Sequence, residues 1–119
     1  MEKFNARLAT PARQRGKLAP IQMSHIVIST HPDNYETMVN WYLTYFEAEI
    51  AYANDDVAFI GFDEEHHRIA IAAVPDLVQP PANSWGVNHF AFSYADLDEL
   101  LATYVRLKAE GIEPYWPIL

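Results

Sequence analysis

Two segments of the chain alternate apolar and polar residues with the period of two that is typical of a half-buried β-strand. They read IQMSHIVIST at residues 21–30 and VNHFAFSY at residues 87–94. In each segment a histidine, His25 or His89, is followed by three apolar residues and a serine. The repeat predicts two equivalent strands that each direct one imidazole to the same side of a sheet. Two imidazoles in that arrangement suit a metal site that has a third ligand.

Two other segments have apolar residues at the spacing of one helix face. The first follows the turn at residues 31–34, and its apolar residues are Tyr35, Met38, Val39, Tyr42 and Phe46. The second begins after Asp96, a predicted N-cap with Glu99 three residues on, and Gly111 ends it. Its predicted buried residues are Leu97, Leu100, Leu101, Tyr104 and Leu107.

The segment between the first helix and the second repeat predicts three more strands, at residues 47–54, 57–62 and 66–74. The last of these contains an unbroken apolar run, so we expect it in the centre of the sheet. Residues 75–84 contain three prolines and predict a linker. After the second helix, residues 112–119 predict the start of another strand.

These elements predict an α+β fold made of two βαβββ modules, the second of them incomplete. His25 and His89 are 64 residues apart, and when the halves are aligned at this offset, both have a strand followed by a helix. Module one spans residues 21–74, residues 75–84 link the halves, and module two spans residues 85–119 with only βαβ. Residues 1–20 lack a sustained period and predict an N-terminal arm.

The charge of the chain excludes some classes of function. The formal net charge is −8, which argues against nucleic acid as a partner. Five of the eight basic residues fall in the N-terminal arm: Lys3, Arg7, Arg13, Arg15 and Lys17.

No apolar run approaches the length of a membrane helix, and there is no cysteine. We expect a cytoplasmic protein; a mitochondrial leader in the arm is the alternative.

The residues that carry these patterns resemble the vicinal oxygen chelate superfamily, which includes glyoxalase I, the bleomycin-resistance proteins and the extradiol dioxygenases. The resemblance covers residues 20–119. It rests on MSHIVIST, NWY in the first helix, VNHFAFSY and the segment LDELLATYVRLKAEGIEPYW. The run FDEEHHRIAIAAV at residues 62–74 is more specific and is similar to extradiol dioxygenases that act on catechols. The resemblance implies a curved mixed sheet built from paired modules.

The resemblance also implies roles for three histidines. His25 and His89 match the two histidine ligands of Fe(II), although another divalent metal is an alternative. His67 matches the acid–base residue of the family. The glutamate that completes the metal site in the family would fall after Leu119, so a partner chain is one source of a third ligand, and iron binding and turnover stay open.

Three functions follow as hypotheses. The first is an extradiol-type dioxygenase that cleaves a catechol-type aromatic with Fe(II), inactive if the carboxylate ligand is missing. The second is a non-catalytic module that binds a small hydrophobic ligand, with Phe59, Trp85 and Trp116 as candidate pocket residues. The third is a metal-dependent isomerase or lyase of the glyoxalase type. We also expect a homo-oligomer or, as the alternative, part of a longer product, because an incomplete second module would leave an open sheet edge.

Overall fold

A computed structural model of the chain describes residues 10–116. After a short 3-10 helix at Ala12–Arg15, the elements follow the predicted order of module one. They are β1 (Ile26–Thr30), α1 (Pro32–Phe46), β2 (Glu49–Ala53), β3 (Val57–Gly61) and β4 (Ile69–Ala73). A second helix, α2 (Leu97–Ala109), follows a long segment without regular structure.

The four strands form one mixed sheet in the order β1-β4-β3-β2. β1 runs parallel to β4, while β3 is antiparallel to both of its neighbours. β4 lies inside the sheet, as its apolar run predicts, and four of its five residues are buried. These observations confirm the predicted α+β class and the mixed sheet of a βαβββ module.

One face of the sheet packs against α1 and forms the hydrophobic core. Its buried residues are Ala58, Ile60, Ile69 and Ile71 from the strands and Val39 from the helix. The predicted apolar residues of α1 all pack there, together with Ile26 and Ile28 of β1. α1 begins at the N-cap His31, whose Nδ1 accepts a hydrogen bond from the Asp33 backbone N–H at 3.1 Å. Pro32 occupies the first helical position, where it displaces no intrahelical bond.

α2 has the predicted ends but not the predicted burial. Asp96 is its N-cap and accepts from the Glu99 N–H at 2.9 Å, and Gly111 follows its C-terminus with φ +81°. Of the five residues predicted to be buried, only Leu107 is; Leu97 is 64% exposed and Leu100 is 50% exposed. Those residues stay exposed because α2 has no sheet face against it within residues 10–116.

Arg106 attaches α2 to the end of α1. Its guanidinium donates to the Thr44 and Tyr45 carbonyl oxygens at 2.6 and 3.0 Å, and it lies 3.2 Å from a Glu47 carboxylate oxygen. These carbonyls belong to the last turn of α1, where backbone oxygens lack helical partners and the helix dipole favours a cation. The second helix is therefore held to the first module by a polar contact at a helix C-terminus.

The strand that we predicted at residues 85–94 does not form, so this prediction is wrong. This segment is paired with no strand in the described structure, and Trp85 and Val87 are almost fully exposed. Only its Phe92 end packs against the core. A strand needs a neighbour to satisfy its N–H and C=O groups, and an alternating sequence does not supply one.

The ends of the chain lie partly outside the described residues. Residues 112–116 form no strand, which corrects that prediction, and residues 117–119 are not described. The predicted arm is described only from residue 10. No helix within residues 10–116 is long and apolar enough to cross a membrane.

Candidate functional site

The sheet face opposite α1 carries a row of side chains that crosses all four strands. Strand register aligns Val27 with Ala70, Ala70 with Phe59, and Phe59 with Tyr52. Their neighbours in sequence, such as Ile26 and Ile60, point into the core, so alternation turns this row away from α1. The two ends of the row are exposed, with Val27 at 57% and Tyr52 at 50%, whereas Ala70 between them is fully buried.

A group of histidines and aromatic rings lies at one end of this face. His67 stacks on Phe59 with ring centroids 4.4 Å apart and planes at 13°. The His25 ring lies 4.6 Å from the His67 ring, and Tyr52 lies 5.8 Å from Phe59. We call these residues together with His66 the histidine–aromatic cluster. It unites the predicted ligand His25, the predicted acid–base residue His67 and the predicted pocket residue Phe59.

The parallel pairing of β1 with β4 brings the two ends of the cluster together. His25 directly precedes β1, and His67 lies in the connection that leads into β4. The pairing extends past the strands, since the Ile26 N–H donates to the Arg68 carbonyl at 3.0 Å. His25 and His67 are thus neighbours in space although 42 positions separate them in the sequence.

The cluster favours the neutral form of His67. Burial lowers the pKa of His67 below its ordinary value of 6.5, and the nearby His25 and His66 lower it further, while Glu65 opposes them. Nδ1 of His67 lies 2.9 Å from Nδ1 of His66, so one ring must donate and the other accept. When Nδ1 of a neutral His67 is the donor in this bond, its Nε2 keeps a lone pair that can accept a proton or a hydrogen bond.

The predicted ligand His89 lies outside the histidine–aromatic cluster. Its Nδ1 is 2.6 Å from the Asn88 side-chain oxygen, and its segment belongs to no strand. Ala91 and Phe92 do line a groove of about 210 Å³ with Met23, Ser24 and His25, so the second repeat approaches the first beyond His89. The ligand role of His89 stays a prediction.

The described residues do not fit the iron site that the resemblance implies. Within residues 10–116, no three His, Cys, Asp or Glu side chains are close enough together to hold a metal ion. A 2-His-1-carboxylate site needs three convergent donors. The carboxylate of the nearby acid Asp63 is engaged by Arg68, whose Nε lies 2.9 Å from Oδ2. The donor set is therefore incomplete in this part of the chain.

The other two predicted pocket residues lie apart from Phe59. Trp85 is fully exposed in an open groove formed by residues of the 80–88 segment, and Trp116 is 82% exposed. Their pocket role stays a prediction that the contacts do not support.

The sequence reasoning missed a groove of about 430 Å³ between the two helices. Its lining includes Trp41, Tyr45, Tyr94, Leu100 and Tyr104. Trp41 stacks on Tyr45 at 4.7 Å, and Trp41 remains 42% exposed. The position of Trp41 and Tyr45 beside the apolar stripe of α1 was the available signal, but helical spacing alone favours core packing.

Comparisons with known proteins agree with the fold and with the sequence resemblance. The chain is 38% identical over 98 residues to biphenyl-2,3-diol 1,2-dioxygenase 2 of Rhodococcus globerulus, a match that covers 82% of this chain and 50% of that protein. It is 32% identical over 99 residues to biphenyl-2,3-diol 1,2-dioxygenase 3 of the same organism, covering 82% and 51%. The chain thus spans about half the length of these relatives. No solved structure matches it significantly.

A family model describes nearly all of the structured chain. The model of the Glyoxalase/Bleomycin resistance protein/Dioxygenase superfamily matches residues 22–115, which include all four strands and both helices. The βαβββ order and the mixed sheet agree with this match. The chain therefore belongs to the Glyoxalase/Bleomycin resistance protein/Dioxygenase superfamily.

Proposed function

We propose that the chain is an extradiol-dioxygenase-like protein that binds a small catechol-type aromatic at the histidine–aromatic cluster. The observation that carries the proposal is His67 stacked on Phe59 and adjacent to His25, on the side of the sheet opposite α1. The names of the two relatives, biphenyl-2,3-diol dioxygenases, support an aromatic diol as the ligand class.

The cluster offers complementary chemistry to such a ligand. An aromatic ring can pack against the exposed side of Tyr52, which is half-exposed and lies beside Phe59 on this face. A diol hydroxyl can donate to a neutral imidazole, and the lowered pKa of His67 keeps that imidazole neutral at pH 7. We assign His67 the role of proton acceptor and Phe59 the role of the ring that holds His67 in place.

Ring cleavage with Fe(II) extends this proposal. It would use His25 and His89 as ligands and His67 as the acid–base residue. It requires further metal ligands beyond the side chains that converge within residues 10–116. Diol binding is the part of the function that these residues can carry alone.

The test of diol binding is calorimetric titration of the metal-free chain with biphenyl-2,3-diol. We expect His67→Gln and Phe59→Ala to weaken binding by about five- to thirtyfold, since each removes a polar or stacking contact of roughly 1–2 kcal/mol. His31→Asn and Phe90→Ala are matched controls: Asn keeps the N-cap acceptor, and Phe90 is 40% exposed outside the cluster. Equal losses in test and control variants would reject the assigned site.

The test of the iron extension is metal analysis after anaerobic Fe(II) loading and desalting. About one iron per chain, lost in His25→Ala and in His89→Ala, together with oxygen uptake on addition of the diol, would support the extension. Absence of retained iron in the unaltered chain would contradict it and leave diol binding as the function of these residues.

A non-catalytic binding module is the second candidate, favoured by the lack of a three-donor group within residues 10–116. The aromatic groove between the helices gives this candidate its own site for a small hydrophobic ligand. Binding of a hydrophobic compound without hydroxyl groups, abolished by Trp41→Ala and unaffected by His67→Gln, would favour it over the first candidate.

We also propose that the chain forms a homo-oligomer. β1 is an end strand of the sheet, and Val27 on that strand and Leu97 on α2 are both more than half exposed. An edge strand and exposed apolar side chains each favour association with another chain. Sedimentation velocity at micromolar concentration measures this, and a single monomeric species would contradict it.

A further inference from the structure

Arg68 connects the two segments that carry His25 and His67. Its Nη1 donates to the carbonyl oxygens of Met23 and Ser24 at 2.8 and 3.0 Å. Its Nε donates to the Asp63 carboxylate at 2.9 Å to Oδ2 and 3.2 Å to Oδ1. The side chain is only 13% exposed, so few of these bonds can be replaced by water. One guanidinium therefore joins the chain before β1 to the connection before β4.

We propose that Arg68 is a positioning residue that fixes the His25 imidazole against the His67 imidazole. This inference rests on the proposed function of the histidine–aromatic cluster. The two carbonyls that Arg68 binds lie directly before His25, and Arg68 itself directly follows His67. The position of each histidine along its segment is thus set relative to the same residue.

The backbone and the side chain of Arg68 both form hydrogen bonds with residues 23–26. Its carbonyl accepts from the Ile26 N–H, while its guanidinium binds the carbonyls two and three residues earlier. Together they hold residues 23–26 on both sides of His25. A second link joins the same two segments, because the Gln22 amide donates to a Glu65 carboxylate oxygen at 2.6 Å.

The chemistry of this contact requires arginine. The planar guanidinium has donors on several edges, so it can bind a carboxylate with Nε and two carbonyls with Nη1 in one fixed geometry. Asp63 holds the plane in that orientation. A lysine ammonium keeps the charge but is a point donor on a flexible stem, and it cannot reproduce the fork.

Arg106 is the natural control for Arg68. It also donates to two backbone carbonyls, lies beside one carboxylate and is largely buried, at 27% exposed. It contacts the end of α1 and does not touch the histidine–aromatic cluster. Arg68→Met and Arg106→Met therefore remove the same kind of interaction from two different places.

The test is a nuclear Overhauser measurement on the imidazole protons of the metal-free chain. Ring centroids 4.6 Å apart predict a cross-peak between His25 and His67, and stacking on Phe59 predicts an upfield shift of His67 protons. We expect Arg68→Met to abolish the His25–His67 cross-peak and Arg106→Met to keep it, although both lower the melting temperature. A cross-peak that persists in Arg68→Met, or is lost equally in both variants, would overturn the proposal.

A second variant and an affinity measurement complete the test of the role of Arg68. If Arg68→Met does not fold, Arg68→Lys replaces it, and a His25–His67 cross-peak of full intensity in that variant would overturn the proposal. Biphenyl-2,3-diol affinity should fall about tenfold in Arg68→Met, equivalent to about 1.4 kcal/mol, and stay unchanged in Arg106→Met. If the unaltered chain binds no diol, the proposed function fails, while the cross-peak still decides the role of Arg68.

Discussion

The two copies of the histidine repeat have nearly the same pattern but different structures. In the first copy, residues 26–30 form β1, which pairs with β4 and packs Ile26 and Ile28 against α1. In the second copy, the equivalent residues belong to no strand, and Val87 is 81% exposed. Alternation determines which side chains would share a face, whereas a strand forms only where a neighbour satisfies its backbone groups.

The difference between the copies has a functional consequence. Pairing with β4 brings His25 to the His67 ring, while His89 has its contact with the adjacent Asn88. Only the first copy therefore joins an organised site within residues 10–116. A histidine acquires a partner through the tertiary pairing of its strand and not through its own sequence motif.

The largest expected contrast between the copies is in amide hydrogen exchange. Ile26 and Phe90 occupy equivalent positions in the two copies, but only the Ile26 N–H donates to a backbone carbonyl, that of Arg68. We expect the Ile26 amide to exchange on the order of a thousandfold more slowly than the Phe90 amide, given a domain stability of about 5 kcal/mol. Exchange followed by two-dimensional NMR measures both amides. Equal protection would mean that the second copy is also a paired strand.

Core substitutions should give the next largest contrast. Ile71 of β4 is fully buried, so Ile71→Ala should lower the free energy of unfolding by about 2–5 kcal/mol. Val87 is largely exposed in the second copy, so Val87→Ala should change it by no more than about 0.5 kcal/mol. Urea unfolding followed by circular dichroism measures both variants. A loss in Val87→Ala as large as that in Ile71→Ala would show that the second copy is part of the core.

The smallest expected effect is a dependence of stability on pH. The lowered pKa of His67 means that the folded chain binds this proton less readily than the unfolded chain, whose ordinary value is 6.5. The contribution of His67 to the free energy of unfolding is therefore fully present above pH 6.5. It falls as the pH drops towards the pKa of the folded chain, and below that pKa it no longer changes. His67→Gln should flatten the change in urea midpoint between about pH 7.5 and pH 5. His31→Asn is the control, and an identical pH profile in His67→Gln and the unaltered chain would contradict this assignment.

Much of module one could be predicted from the sequence because its local and tertiary preferences agree. The apolar run at residues 66–74 indicated a central strand, and β4 lies inside the sheet. In module two, Asp96 and Gly111 were predicted as the ends of the helix because their roles depend on nearby backbone groups. The period of two in the first repeat is present in the structure, since Ile26 and Ile28 pack on the core while Val27 between them is exposed.

The remaining features depend on contacts that sequence patterns do not specify. The exposed apolar side of α2 needs a sheet to cover it, and helical spacing cannot show whether that sheet is present. The His67–Phe59 stack depends on how the connection before β4 folds over β3. Phe59 alternates with the buried Ala58 and Ile60, and that alternation was the signal that it shares a face with His25.

The most direct test of the account is an NMR titration of the metal-free chain with biphenyl-2,3-diol, with the histidine and aromatic side-chain signals assigned. We expect saturable shifts at His25 of the first copy and at Phe59 and His67 beside it, and none at His89 or Phe90 of the second copy. Shifts centred on His89, or on Trp41 in the groove between the helices, would contradict the proposal that the histidine–aromatic cluster binds the diol.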